Sequence, residues 1–295
     1  MRHMSRLRTM QRCPTVSLVI PVYNEESQLA ACLESIARQT VAPLEVIVVN
    51  NNSTDQTVAI AKRYPFVTLL HETRQGVVFA RDTGFNAARG DIIGRTDADG
   101  RLAEDWVETV QQIFMEQSID AVSGSVGYRD VGLKRAFDAI DSRIRRYLAA
   151  RTGAWDELFL YGVNMAIRRS SWRKVRMEVC HHRHMHEDMD LAAHMSLIGQ
   201  TVQFDASLYA TISPRQASAG PREFYRYVWS SPRVYTRHGL RSHRHMYLVA
   251  AFVSLLYVGI NLMYRGYNPR TQRFSLSQLW RAEVAKRASP VSDAL

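Results

Sequence analysis

The sequence predicts an α/β protein built on a doubly wound, mainly parallel sheet, followed by a helical, membrane-associated C-terminal segment. Short β-branched apolar runs alternate with amphipathic helical patterns from Val16 to Phe114. Such alternation is typical of parallel strands joined by helical crossovers. The composition changes after Pro221, where aromatic residues are interleaved with arginines. With 295 residues, the chain is long enough for one large α/β domain and an appendage.

Four strands and four helices are predicted to alternate in the N-terminal part of the chain. Val16 to Pro21 is a buried β-branched run that ends at a proline, and Glu45 to Val49 is a second such run. Further strands are predicted at 67–70 and 91–95. The helices are predicted from apolar residues at helical spacing, and they begin near Leu29, Thr54, Gly76 and Trp106.

The middle of the chain continues the α/β pattern. Strands are predicted at 121–126, 162–167 and 201–204, and a helix at 189–197. An amphipathic helix at 133–150 is rich in lysine and arginine, which is typical of a solvated face or of a face on anionic lipid.

Charge and cysteine content limit the possible function classes. The net charge of +10 favours anionic partners, which include nucleic acid, anionic lipid and phosphorylated substrates. The three cysteines are far apart and form no CxxC pair, so we expect neither a disulfide framework nor a zinc site. We therefore expect a reducing cytosolic setting. Residues 1–14 hold four arginines and no acidic residue, which argues against a secretory signal peptide.

The sequence divides into a basic disordered arm at 1–15, a catalytic α/β domain at 16–220 and a membrane-associated helical region at 221–295. In the last region, Met246 to Tyr264 contains nineteen residues, of which sixteen are apolar. A bilayer core needs about 20 such residues, and basic residues flank this stretch on both sides. A single membrane span, a helix lying in the membrane interface and a long core or oligomer helix therefore remain alternatives.

The paired carboxylates of Asp97 and Asp99 are the main candidate site. They follow the predicted strand at 91–95, and ligands of α/β sheets bind beyond the carboxyl ends of strands. Mg²⁺ prefers one or two carboxylates together with substrate phosphates. The alternative is an ordinary turn with solvated acids, because Asp and Gly are common turn residues.

Motifs along much of the chain resemble those of the family 2 glycosyltransferases, which have the GT-A fold. The resemblance covers about residues 16 to 215, and the motifs occur in the family's order and spacing. They are Val19–Glu25, Val48–Asp55, Gly76–Gly84, Thr96–Asp99, Gly162–Arg169 and Glu187–Leu191.

The resemblance implies a pocket for a nucleotide-diphosphate sugar donor. Pro21, Tyr23 and Glu25 would line the nucleoside pocket, and Arg81 would face the base or the diphosphate. Asn50 stands where the family usually has an aspartate that contacts the base. An asparagine offers a hydrogen-bond donor as well as an acceptor, so the identity of the base stays open.

The resemblance also implies the metal ligands and the general base. Asp99 would bind Mg²⁺ or Mn²⁺ directly, and Asp97 would approach the metal or the ribose. Asp188 matches the family's general base, with Glu187 beside it. An alternative for Asp188 is a simple helix-stabilising role, because acidic residues are favoured in the first turn of a helix.

Two stretches are expected near the acceptor. The histidines from His181 to His186 lack the spacing of zinc ligands, so we interpret residues 176–188 as an acceptor-side loop. Trp155 and Asp156 fit an acceptor wall, although a tryptophan is also a common core residue.

The predicted function is an inverting, metal-dependent transfer of a sugar to a hydroxyl of a glycan or lipid-linked acceptor. The product would be a cell-surface polysaccharide or glycolipid, with a role in cell wall biogenesis, made at the cytoplasmic face of a bacterial-type membrane. A polyprenyl-phosphate sugar synthase is the alternative, and the absence of a Gln-x-x-Arg-Trp motif argues against a processive polymer synthase. A non-catalytic nucleic-acid-binding protein is a remote alternative without a supporting motif, so we expect no nucleic-acid partner.

Overall fold

The computed structural model describes residues 12–116, 118–129, 143, 160–181, 185–213, 221–240, 243–268 and 273–274. The predictions for residues 1–11, for His182 and His184, and for Trp155 and Asp156 lie outside these ranges. The predicted basic helix at 133–150 also lies outside them, except for Arg143, which is helical.

The described chain is built around one eight-stranded sheet with the strand order β3-β2-β1-β4-β7-β6-β8-β5. A separate two-stranded ribbon, Tyr267–Asn268 (β9) and Arg273–Phe274 (β10), lies near the C-terminus. The strands of the main sheet are β1 Val16–Val22, β2 Glu45–Asn50, β3 Val67–His71, β4 Ile92–Arg95, β5 Arg101–Leu102, β6 Ala121–Tyr128, β7 Met165–Arg168 and β8 Val202–Ile212.

Strand pairing is parallel on one side of the sheet and mixed on the other. Strand β1 pairs in parallel with β2 and β4, and β2 pairs in parallel with β3. Strand β7 is antiparallel to both β4 and β6, whereas β6 and β8 are parallel. The α/β class is confirmed, but the sheet is mixed rather than mainly parallel beyond β4. The antiparallel β7 brings its own start next to the end of β4, where Met165 pairs with Arg95.

Helices cover both faces of the sheet. Alternate residues of β1 and β2 pack into two different hydrophobic clusters, as expected for strands that are buried on both faces. The helices whose bounds lie in the described ranges are α1 Leu29–Ala37, α2 Thr57–Ala61, α3 Val77–Ala87, α4 Trp106–Glu116, α5 Arg169–Val175, α6 Glu187–Leu197, α7 Pro221–Arg237 and α8 His243–Gly266.

Several element boundaries differ from the sequence prediction, and three of them lie in the later part of the sheet and at α6. The strand predicted at 162–167 begins only at Met165, because Gly162 to Asn164 form a turn that the Asn164 N–H closes on the Tyr161 carbonyl at 2.8 Å. Helix α6 begins at Glu187, two residues before the predicted start. Strand β8 continues to Ile212, because β6 and β5 supply its pairing partners there.

The C-terminal helices α7 and α8 pack on each other and on α6. A third hydrophobic cluster joins them, formed by Ala193 of α6, Val234 and Tyr235 of α7, Leu240, and Met246 of α8. Within the described part of the chain, no helix combines the length and apolar character needed to cross a membrane. The single-span alternative for 246–264 is therefore corrected, since polar residues such as Ser254 and Asn261 interrupt α8.

Candidate active site

The loops that follow β1 and β2 are hydrogen-bonded to each other. The Asn24 N–H donates to Ser53 Oγ at 3.1 Å, and the Thr54 N–H donates to Asn24 Oδ1 at 2.8 Å. The Glu25 N–H donates to Thr57 Oγ1 at 2.7 Å. Asn24 has φ +51°, a left-handed conformation that asparagine tolerates better than most residues. These bonds fix one wall of a cleft beyond the carboxyl ends of both strands.

Three predicted nucleoside-pocket residues belong to this wall. Pro21 lies within β1 opposite Val49 of β2 and is buried. Tyr23 is half-buried in the loop, and Glu25 is fully buried behind it. Their position at the sheet edge is compatible with the predicted pocket, and their contact with a nucleoside stays a prediction.

Asn50 is the last residue of β2, and it is bonded on both sides of its amide. Its Oδ1 accepts from the Ser53 N–H at 3.1 Å, and its Nδ2 lies 3.3 Å from His71 Nδ1. The neighbouring Asn51 donates to the Glu72 carbonyl and accepts from the Gly76 N–H. The Asn50 side chain is therefore held in place, and a contact with the base stays a prediction.

Arg81 is fully buried and ties α3 to α6. Its Nη1 donates to the Glu187 carbonyl at 2.6 Å, and its Nε and Nη2 both donate to Asp82 Oδ1. Asp82 Oδ2 in turn lies 2.8 Å from His181 Nε2. These contacts indicate a positioning role for Arg81 beneath the start of α6, and its predicted contact with the donor stays a prediction.

Arg95 joins the two predicted acidic motifs, and the sequence prediction assigned it no role. It ends β4, is 2% exposed, and lies 2.6 Å from Glu187 Oε1 and 3.1 Å from Asp97 Oδ1. A β-carbon on Gly162 would lie only 2.7 Å from the Arg95 guanidinium carbon, so any larger residue there would force the guanidinium to move. A charged residue at the end of an otherwise apolar strand was the sequence signal, because such a charge is seldom buried unpaired.

Asp188 lies at the start of α6, and two backbone N–H groups orient its side chain. The Gly162 N–H donates to its Oδ2 at 2.9 Å, and the Met189 N–H donates to its Oδ1 at 2.8 Å. Burial raises the pKa of Asp188, and the charge of Glu187 raises it further. Burial also pushes the pKa of Glu187 upward, but the Arg95 and Arg81 guanidiniums outweigh this effect and hold it below its ordinary value.

Asp97 and Asp99 lie where β4 ends, as predicted. Asp99 is 3% exposed, whereas the Asp97 side chain is 33% exposed. Arg129 donates to the Asp99 carbonyl, and the Gly100 N–H donates to the Asp97 carbonyl at 2.8 Å, which fixes the backbone between the two acids. Two hard carboxylates, of which one opens to the cleft, fit a divalent cation that takes its other ligands from phosphates and water.

Tyr227 of α7 is a candidate site residue that stands in the sequence only as one of the aromatic residues after Pro221. Burial raises the pKa of Tyr227, and the nearby carboxylates of Asp188, Glu187 and Asp97 add to this increase. Its carbonyl lies 3.0 Å from His186 Nε2, and the two rings meet edge to face at 4.5 Å. Helix α7 therefore contributes to the same cleft as β4 and α6, and His186 connects the two helices.

The family model described as glycosyl transferase family 2 matches residues 17–176 of the chain. Among curated proteins, the chain is similar to the uncharacterized glycosyltransferase YibD of Escherichia coli K12, with 37% identity over 109 residues. That alignment covers 36% of this chain and 32% of the relative, so the chain spans about a third of the relative's length.

Solved structures share the fold at low sequence identity. The mannosyltransferase PcManGT from Pyrobaculum calidifontis, in complex with GDP-Man and Mn²⁺, aligns with a TM-score of 0.55 and 21% identity, covering 86% of this chain and 85% of that chain. Staphylococcus aureus TarS 1-349, in complex with UDP-GlcNAc, aligns with a TM-score of 0.53 and 15% identity, covering 85% and 72%.

Proposed function

The chain belongs to glycosyl transferase family 2, whose model matches more than half of its length, and we propose that it transfers a sugar from a nucleotide-diphosphate donor to a hydroxyl acceptor. We propose that transfer depends on Mg²⁺ or Mn²⁺ and inverts the anomeric centre. The acceptor belongs to a cell-surface glycan or a lipid-linked glycan, and the site residues have the roles given below.

The different partners of the adjacent Glu187 and Asp188 carboxylates are the observation that carries this proposal: Glu187 is paired with Arg95 at 2.6 Å, whereas Asp188 accepts from the Gly162 N–H at 2.9 Å. Adjacent carboxyls whose environments move their pKa values apart are suited to different roles in acid–base catalysis. Glu187 stays ionised against Arg95, whereas Asp188 has a raised pKa and so a greater affinity for a proton. Asp188 is therefore the proton acceptor, and Glu187 is the fixed charge that makes it more basic.

Asp97 and Asp99 supply the ligands for the divalent cation. When bound, such a cation acts as a Lewis acid that stabilises the leaving diphosphate. Arg95 lies 3.1 Å from the Asp97 carboxylate and 2.6 Å from the Glu187 carboxylate. One guanidinium therefore fixes the position of Asp97, a proposed metal ligand, relative to Glu187, the neighbour of the proposed base. The hydroxyl of the acceptor gives its proton to Asp188, and a single direct displacement by that hydroxyl inverts the sugar.

A donor screen with an Asp99→Ala variant tests the proposed activity. We expect a subset of UDP- and GDP-sugars, with Mn²⁺ or Mg²⁺, to release nucleoside diphosphate when an acceptor extract is present. Asp99→Ala should reduce this release to background, because its carboxylate binds the cation. Asp105→Ala, which removes an exposed acid before α4, is the matched control and should retain full activity. Full activity of Asp99→Ala would contradict the metal site.

We propose a membrane-surface location at the cytoplasmic face of the cell membrane, and the exposed side of α8 supports the contact with a membrane surface. Leu248, Phe252 and Leu255 recur at helical spacing and are 60%, 48% and 82% exposed. Exposed arginines lie on the same two-helix unit, at Arg226, Arg233 and Arg244. Apolar residues together with basic residues are typical of a helix that binds the interface of an anionic bilayer.

Vesicle co-sedimentation checks the membrane proposal. We expect the full chain to bind phosphatidylglycerol vesicles and to bind neutral phosphatidylcholine vesicles much more weakly, because anionic lipid attracts the arginines. The triple change Leu248→Ser, Phe252→Ser and Leu255→Ser should abolish binding. The control Met177→Ser with Leu197→Ser removes exposed apolar residues elsewhere and should leave binding unchanged. Equal binding by both variants would contradict the proposed face.

A further inference from the structure

Four potential metal ligands from three separate segments meet beside α6. Cys180 follows α5, Asp190 and His194 lie on one face of α6, and His238 directly follows α7. One ligand atom from each residue lies within 4.8 Å of all the others. We propose that these four residues form a structural zinc site, separate from the divalent-cation site at Asp97 and Asp99.

The distances within the group approach those of a tetrahedral zinc site. His238 Nε2 is 2.9 Å from Asp190 Oδ1, His194 Nε2 is 3.6 Å from the same oxygen, and Cys180 Sγ is 3.5 Å from His194 Nε2. Zinc binds nitrogen and oxygen at 2.0–2.2 Å and sulfur at 2.3 Å, which places neighbouring ligands of a tetrahedron about 3.3–3.7 Å apart. Small side-chain movements are therefore enough to close the site around an ion.

The Asp190 carboxylate is already oriented for this role. The Cys180 N–H donates to Asp190 Oδ2 at 2.8 Å, which leaves Oδ1 facing the two imidazoles. Such outer hydrogen bonds hold ligating carboxylates in place at metal sites. Asp190 is 1% exposed, and the side chains of His194 and His238 are 14% and 8% exposed. A site in which protein side chains supply all four ligands is typical of structural rather than catalytic zinc.

The chemistry of the ligands selects the metal. A thiolate with two imidazoles favours zinc, whereas Mg²⁺ and Mn²⁺ prefer oxygen ligands such as those of Asp97 and Asp99. One thiolate and one carboxylate offset the two positive charges of the ion, which reduces the penalty for burying it, and the Arg237 side chain hydrogen-bonds to Cys180 and favours its thiolate form. The cysteine count and spacing gave no sign of this site, because His238 is distant in sequence and the cysteine has no CxxC partner.

A zinc ion at this position would fasten the catalytic domain to the C-terminal helices. Helix α6 carries Glu187 and Asp188 in its first turn, and α7 carries Tyr227 in the same cleft. The ion would link α6 directly to the residue after α7, beside the apolar contacts of Ala193 with Val234 and Leu240. The site would therefore hold α6 and α7 in a fixed relative position on the side of the cleft where we propose that the acceptor binds.

Cobalt substitution of the full chain tests the site independently of any transferase activity. We expect demetallated protein to bind about one equivalent of Co²⁺ with a thiolate-to-cobalt charge-transfer band, because cobalt replaces zinc in thiolate sites. Excess Mg²⁺ should leave the band intact, and Zn²⁺ should remove it. Cys180→Ser should lose the band, whereas Cys13→Ser, which removes an exposed cysteine outside the group, should keep it.

Metal analysis of the purified chain gives the second measurement. We expect about one zinc per chain in the unaltered protein and in Cys13→Ser, and less than about a tenth of that in Cys180→Ser and His238→Ala. The absence of a charge-transfer band in the unaltered chain, or an unchanged band in Cys180→Ser, would overturn the proposal. In that case, the Asp190–His238 contact is an ordinary hydrogen bond without a metal.

Discussion

Replacement of Asp188 by asparagine is expected to lower kcat for sugar transfer by about 10²–10⁴-fold, the usual contribution of a positioned general base. The amide keeps the shape of the carboxylate but has little affinity for the acceptor's proton. The KM for the donor should change little, because proton abstraction develops only in the transition state. Initial rates with saturating donor, together with the melting temperature of the variant, provide the measurement.

The pH profile of Glu187→Gln distinguishes a base from a residue with a structural role. Because Asp188 must be ionised to accept a proton, activity of the unaltered enzyme should rise as pH increases through the raised pKa of Asp188. Glu187→Gln removes the neighbouring negative charge that helps to raise this pKa, so the acidic limb should move to lower pH. An acidic limb at the same pH in both proteins would contradict the assignment of Asp188 as the base.

The Asp188→Asn variant also separates the proposed function from its alternative, a polyprenyl-phosphate sugar synthase. A polyprenyl-phosphate acceptor is already anionic at neutral pH and does not need a strong base. If Asp188→Asn transfers sugar to a phosphate acceptor at an undiminished rate, the chain is a polyprenyl-phosphate sugar synthase. Loss of transfer with every acceptor, at an unchanged melting temperature, supports the hydroxyl acceptor.

The alternation of apolar runs and helices was enough to predict the parallel part of the fold. Strands β1 and β2 are each buried on both faces, so they appear in the sequence as continuous β-branched runs. The antiparallel orientation of β7 could not be predicted from periodicity, because parallel and antiparallel strands can have the same apolar pattern. The start of β7 was also misplaced, since Val163 in the preceding turn is apolar like the residues of the strand.

The acidic residues of the site were predicted from the sequence, but the residues that organise them were not. Asp97, Asp99, Glu187 and Asp188 belong to recognisable motifs, whereas Arg95 and Tyr227 acquire their roles only through folding. Tyr227 is distant from the other site residues in sequence, and only the packing of α7 on α6 brings it to them. Long-range contacts of this kind leave no local pattern in a single sequence.

Replacement of Arg95 by methionine is expected to destabilise the protein by about 3–5 kcal/mol, the usual effect of leaving one member of a buried ion pair without its partner. Methionine retains much of the volume of the arginine side chain but leaves the buried Glu187 carboxylate without its ion-pair partner. Urea denaturation gives the free energy of unfolding. Arg38→Met is the matched control, because the Arg38–Glu104 pair is exposed on both sides and such pairs contribute at most about 1 kcal/mol.

Acidification and a second substitution show whether the buried charge is the cause. Arg95 holds the folded-state pKa of Glu187 below its ordinary value, so this pair stabilises the fold above the unfolded-state pKa, and the stabilisation is lost as pH falls through the folded-state pKa. The deficit of Arg95→Met should therefore be largest at neutral pH and shrink on acidification, where Glu187 becomes neutral. Adding Glu187→Gln should recover part of the deficit at neutral pH, with a coupling energy of about 0.5–3 kcal/mol. A deficit that is independent of pH and additive with Glu187→Gln would show instead that Arg95 acts through packing around Gly162.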